Sequence, residues 1–138
     1  MTPAPHSFDE IVRLLREMRF EEDFDAIVAI AGGGLLPAAL LRERLGLAVE
    51  VLRLNFRGSD NRPLSERPRL LRQPDFIVAG GRFLLADDRV KTGATFAYAR
   101  ELLADAALVR TFAINGAADY SLYNEPCFPF PWSAARLI

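Results

Sequence analysis

Apolar and polar positions along the chain alternate between two rhythms. Continuous apolar stretches at residues 24–31, 83–86 and 108–114 read as buried strands, because strands of a parallel sheet are covered on both faces. Residues 48–56 alternate and predict a strand with one partly wet face. Between these runs lie helical patterns. Ser7 to Glu10 has the form of a capping box, and Ile11, Leu14, Leu15 and Met18 follow at helical spacing, so a helix starts there. A second helix is expected over residues 35–45, closed by Gly46, and a third over 96–104. Residues 76–79 suggest a short extra strand before a Gly80-Gly81 turn. Three helix-and-strand units plus a further strand predict an open, mainly parallel twisted sheet with helices on both faces, in one domain spanning residues 1–138. Two stretches break the rhythm. Residues 57–81 are rich in Gly, Pro, Ser, Asp and Arg, and a connection of that length inside a compact domain is functional or disordered; residues 116–138 are irregular and rich in Pro and aromatics.

Composition narrows the classes. With 138 residues, 51% of them hydrophobic, the chain can bury one real core. A formal net charge of −1 leaves no electrostatic footprint for nucleic acid. The single cysteine, Cys127, excludes an intramolecular disulfide, and with the single histidine, His6, it excludes a His/Cys zinc cluster. No basic leader with an apolar core opens the sequence and no apolar run is long enough for a membrane span, so a cytoplasmic protein is expected.

The chemistry concentrates in residues 83–95. The apolar run Phe83-Leu84-Leu85-Ala86 ends in two adjacent carboxylates, Asp87 and Asp88, and the turn Lys91-Thr92-Gly93-Ala94-Thr95 then opens a helix. Ligands of open α/β sheets sit outside the carboxyl ends of the strands. A glycine that admits close backbone approach, two hydroxyls and the unpaired first amides of a helix make a phosphate cradle. Paired acids beside it suit sugar hydroxyls, or Mg²⁺ held together with substrate phosphate oxygens. A phosphorylated sugar with a metal is the ligand these residues predict. The Gly32-Gly33-Gly34 loop after the first strand repeats the strand, glycine loop and helix arrangement; taken alone it serves equally as a tight turn for close packing.

Four apolar strand residues, two acids and then T-G-x-T entering a helix resembles the phosphoribosyl-diphosphate (PRPP) motif of type I phosphoribosyltransferases. The resemblance extends over most of the chain and looks closest to the purine (xanthine, hypoxanthine, guanine) enzymes, with residues 28–46 resembling their first substrate loop and 116–138 their hood over the base. It implies transfer of the 5-phosphoribosyl group from PRPP to a nucleobase nitrogen with release of pyrophosphate, Mg²⁺ as cofactor, and a homodimer. It further implies Asp87 and Asp88 as the acidic pair at the reacting sugar, contacting its 2′- and 3′-hydroxyls and the metal, directly or through ribose or water. Lys91, Thr92, Gly93, Ala94 and Thr95 would wrap the 5′-phosphate. Gly32, Gly33 and Gly34 would receive pyrophosphate, helped by Arg57 and Arg62 from a mobile lid at 57–81, while Trp132 would stack on the base and Asp119 accept a hydrogen bond from it.

Three positions depart from the pattern. Relatives commonly carry a cation at Gly32, an acid at Lys91 and a lysine near Asn115. The departures keep open a non-catalytic module that binds PRPP or a nucleotide and regulates a partner. A phosphoacceptor receiver also pairs acids at strand ends, but there the pair ends the first strand, whereas Asp87 and Asp88 end a later one and precede a phosphate-binding turn.

Overall fold

The computed structural model describes residues 4–55, 69–70 and 73–133. Helix α1 (Phe8–Glu17) starts at Ser7, whose hydroxyl accepts the Glu10 N–H at 3.0 Å. The Glu10 carboxylate turns outward from that cap, accepting from the Tyr123 hydroxyl and pairing with His6 at 2.7 Å. Strand β1 (Ala26–Ala31) leads through the glycine loop into α2 (Leu35–Leu45). Gly46 ends α2 in the left-handed region at φ 70°, where the lack of a Cβ avoids strain. Then come β2 (Ala48–Asn55), β3 (Arg69–Leu70), β4 (Arg82–Arg89), α3 (Ala94–Leu102), β5 (Leu108–Asn115) and β6 (Tyr120–Tyr123).

The strands form one sheet in the order β3-β2-β1-β4-β5-β6. Every pairing is parallel except β2 with β3. This is the open, mainly parallel sheet the sequence predicts. Side-chain alternation splits its core into two layers. Ile27, Ala29, Leu84, Ala86, Phe112 and Ile114 face α1 and α2, together with Ile11, Leu15, Ala38 and Leu41. Val28, Ile30, Leu85 and Ala113 face the other way, against Phe96, Ala99 and Leu103 from α3 and its end. Helices therefore cover both faces. Each buried Leu or Ile of these layers stabilises by roughly 1.5–3 kcal/mol relative to exposure.

Two expectations change. Residues 76–79 form no strand: Phe76 packs edge-on against Phe83 at 5.7 Å and Ile77 is exposed. The alternating burial is strand-like, but among the described residues the segment pairs with no strand: β1, β4 and β5 are already paired on both sides, and its Phe76 and Val78 pack on the α3-side layer instead. In the tail, residues 120–123 join the sheet as β6 before the chain turns back over the α1 side, burying Phe128 and Phe130. Of the expected lid at 57–81, residues 57–68 and 71–72, with Arg57 and Arg62, lie outside the described residues.

Candidate active site

The strand order reverses direction between β1 and β4, which is where the loops leaving two neighbouring parallel strands part to opposite sides and open a crevice. The glycine loop leaves β1 and the acidic pair ends β4, so topology alone brings the two sequence motifs to one place. Their contact is close. A Cβ on Gly33 would stand 2.6–2.7 Å from the carboxylate atoms of Asp88. On Gly34 a Cβ would overlap backbone atoms of Ile30 and Ala86, so this glycine lets α2 start against the sheet. Gly34 N–H donates to Ile30 O at 2.7 Å and Leu35 N–H to Gly32 O at 3.1 Å, closing the turn. Gly32 follows a cis peptide bond from Ala31, and a Cβ there would meet none of the described residues within 4 Å.

The acids extend β4 and belong to its last turns of pleat. Asp87 Oδ1 accepts the Asp88 N–H at 2.8 Å, and Asp88 Oδ1 accepts the Arg89 N–H at 2.7 Å. Burial pushes the Asp87 carboxyl well above the usual carboxylate range, and the neighbouring charge of Asp88 adds to it. A cation placed here would relieve both penalties. Beyond them, Lys91 and Thr92 are exposed and Gly93, at φ 85°, is the N-cap of α3. Thr92 Oγ1 accepts the Ala94 N–H at 3.2 Å, closing the turn at the helix start, where the first amides have no intrahelical acceptors. Gly93, Ala94 and Thr95 are half-buried at that end.

The two residues expected at the base are not brought together. Trp132 lies in the α1-side layer, stacked on Phe130 at 4.8 Å and meeting Phe8 edge-on. Asp119 precedes β6 and bonds on the α3 side, where its Oδ2 accepts from Thr111 N–H at 2.9 Å and from Arg100 at 2.9 Å. In register it sits beside the middle of β5, while the acidic pair is level with that strand's last residues.

Three residues here have structural prominence that the sequence reading did not give them. Asn115, the buried end of β5, donates through Nδ2 to Glu125 O at 3.0 Å and accepts Glu125 N–H at 2.8 Å, pinning the tail to the sheet. Gly116, at φ 119°, passes so close to Val90 that a Cβ would clash at 2.7–2.8 Å. Arg89 reaches from the acidic pair to the tail, donating to Phe128 O at 3.3 Å. The resemblance marks Asn115 only as a departure, and Gly116 and Arg89 carry no signal beyond lying next to it and to the acidic pair.

Residues 1–113 match the family model of the phosphoribosyl transferase domain. The chain belongs to the phosphoribosyltransferase family. A xanthine-guanine phosphoribosyltransferase of Gluconobacter oxydans is 30% identical over 122 residues, covering 83% of this chain and 71% of that one. Another, of Chromohalobacter salexigens, is 36% identical over 112 residues, 78% of this chain and 65% of that one. A purine phosphoribosyltransferase from Pyrococcus horikoshii shares the fold with a TM-score of 0.78 at 23% identity, over 96% of this chain and 94% of that chain. The fold is thus that of the type I phosphoribosyltransferases, and the crevice between β1 and β4 is this family member's candidate active site.

Among the described residues no group of three or more His, Cys, Asp and Glu is arranged to hold a metal. Asp87 and Asp88 supply a two-carboxylate, all-oxygen set. That fits Mg²⁺ of the kind that keeps its remaining positions for water and substrate phosphate.

Proposed function

We propose that this phosphoribosyltransferase moves the 5-phosphoribosyl group of PRPP to a ring nitrogen of a purine base. The bond from C1′ to pyrophosphate breaks, the bond from the base nitrogen to C1′ forms, and the N–H proton of the base passes to solvent. One observation carries the reading: Gly33 lies against the Asp88 carboxylate with no room for a side chain between them, so the glycine loop and the acidic pair act on a single ligand. The backbone after β1 takes the diphosphate. The opening of α3, with Thr92, Gly93, Ala94 and Thr95, takes the 5′-phosphate through amides that have no intrahelical acceptor, and the exposed Lys91 adds a positive charge beside it. Asp87 and Asp88 fix the ribose hydroxyls and set negative potential beside a sugar that gains positive charge as pyrophosphate leaves, a preorganised field that supplies several kcal/mol.

When bound by Asp87 and Asp88, Mg²⁺ supplies charge neutralisation for the departing diphosphate. On the base side, Trp132 provides the apolar platform. Asp119 keeps the β5–β6 seam in place, its carboxylate already occupied by Thr111 and Arg100. The relatives named for xanthine and guanine support a purine as acceptor. The reading includes a homodimer, supported by the exposed apolar side chains of Phe8 and Leu35.

A second reading rests on Asn115. Its amide is consumed by the Glu125 backbone, and with Gly32 and Lys91 it leaves the site without groups that active relatives commonly use. That pattern suits a protein that binds PRPP or a nucleotide without turnover. Calorimetric titration with PRPP, with and without Mg²⁺, on the wild type and Asp88→Asn, followed by assay of pyrophosphate release with a panel of purines, separates the two. Metal-dependent binding lost in the variant, together with pyrophosphate release, is expected. Binding without release selects the regulatory module, and no binding by a folded wild type removes both.

A further inference from the structure

Arg89 is the last residue of β4, and its two ends serve different halves of the site. Its N–H donates to Asp88 Oδ1 at 2.7 Å, which fixes the carboxylate that faces the glycine loop. Its guanidinium donates to Phe128 O at 3.3 Å and lies 4.6 Å from the centroid of the Phe130 ring. Phe130, itself buried, stacks on Trp132 with ring centroids 4.8 Å apart and planes 9° from parallel. A planar cation on an aromatic face is held both by the ring quadrupole and by stacking, which an ammonium cannot reproduce. From Asp88 to Trp132 the contacts are therefore continuous, and Arg89 joins the end of β4 to the aromatic tail, beyond the core packing of Leu84 and Ala86.

The geometry points to Arg89 as a positioning residue for the acceptor base: it holds the Phe130–Trp132 platform at the height of the acidic pair. The inference rests on the transferase reading given above, because it assigns Trp132 to the base. Other contacts also touch the platform, notably Phe128 on Phe130 at 5.3 Å and Phe8 on Trp132 at 6.4 Å. If they sufficed, Arg89 would be a surface ion with a solvated side chain.

Trp132 is the single tryptophan of the chain, so fluorescence excited selectively at tryptophan reports on the platform alone. Arg89 is exposed, and its replacement leaves the core intact. In Arg89→Gln, Trp132 emission should shift to the red and acrylamide should quench it more strongly, with no substrate present. The KM for the purine should rise about five- to tenfold while that for PRPP stays within about twofold, the range expected from losing one charged stacking contact. Arg89→Lys, which keeps the charge and loses the plane, should resemble Arg89→Gln. Unchanged emission in Arg89→Gln, equal rises in both KM values, or full recovery in Arg89→Lys would each overturn the assignment. A wild type that turns over no purine would sink the transferase reading instead, and the substrate-free emission would still decide what Arg89 does to Trp132.

Discussion

Gly33 and Gly34 are neighbours in sequence and opposites in what a methyl group would meet. At Gly34 the obstacles are backbone atoms of two strands, which cannot move aside without opening the sheet. At Gly33 the obstacle is the end of one side chain, the Asp88 carboxylate, which can swing away. Gly33→Ala is therefore expected to fold with nearly unchanged thermal stability and to lose PRPP affinity by about tenfold or more, equivalent to about 1.4 kcal/mol. Titration calorimetry beside a melting curve checks both halves; an alanine variant that binds as the wild type does would separate the glycine loop from the acidic pair. Asp87 gives the complementary case. Its folded-state carboxyl is raised, so the protonated form is favoured by folding, and the associated stability is present below the ordinary value of 3.8 and lost as pH rises through the raised one. At neutral pH without metal Asp87 thus destabilises. Asp87→Asn should melt a few degrees higher than the wild type at pH 7, converge with it in acid, and bind PRPP less well in Mg²⁺; equal melting at both pH values would contradict the burial argument.

Elements whose formation depends on local sequence were legible. The Ser7 cap, the Gly46 terminator and the apolar runs of β1, β4 and β5 each carry their own signal, and the boundaries of α2 coincide with those expected, Leu35 and Leu45. The acidic pair and the turn after it were legible for the same reason, since strand, acids and helix start are contiguous. What escaped was decided at a distance. Strand β6 is four half-buried residues with no periodicity of note, held by Asn115 to Glu125, by Ser121 Oγ to Gly116 O at 2.5 Å, and by Tyr120 and Tyr123 bonding to Glu22 and Glu10. Segment 76–79 failed in the opposite sense, for it has the alternation of a strand but packs Phe76 and Val78 on the α3-side layer without pairing to any described strand. Asp119, which the resemblance implies as a base contact, lies beside Thr111 in the β5–β6 register, and its carboxylate accepts from Thr111 and Arg100, contacts that no local pattern announces.

At the scale of the whole molecule the two ends of the chain close on each other, and a titrating group sits in the closure. His6 stacks on Tyr123 at 4.3 Å and on Phe128 at 5.2 Å, pairs with Glu10 of α1 at 2.7 Å, and pairs with Glu125 of the tail at 3.1 Å. The partners are 119 residues apart for His6 and Glu125 and 113 for Glu10 and Tyr123, so nothing local announces them. Hydrogen bonding to Glu125, against some burial, raises the His6 value above 6.5, while the Tyr123 hydroxyl holds Glu10 below 4.5. The signs then differ. The His6 contribution is complete below pH 6.5 and lost as pH rises through the raised value; that of Glu10 is complete above pH 4.5 and lost as pH falls through the lowered one. The closure is strongest between those limits. Arg13, four residues from Glu17 and paired with it, adds only a distant positive field. Glu125 is also held by Asn115 and Phe128 by Arg89, so the closure adds to the anchors that the segment carrying Trp132 already has. His6→Ala should lower the melting temperature most between pH 5 and 6 and least near pH 9, where the wild-type imidazole is neutral. A melting difference that is flat across that range would show that His6 acts through ring stacking and not through its charge.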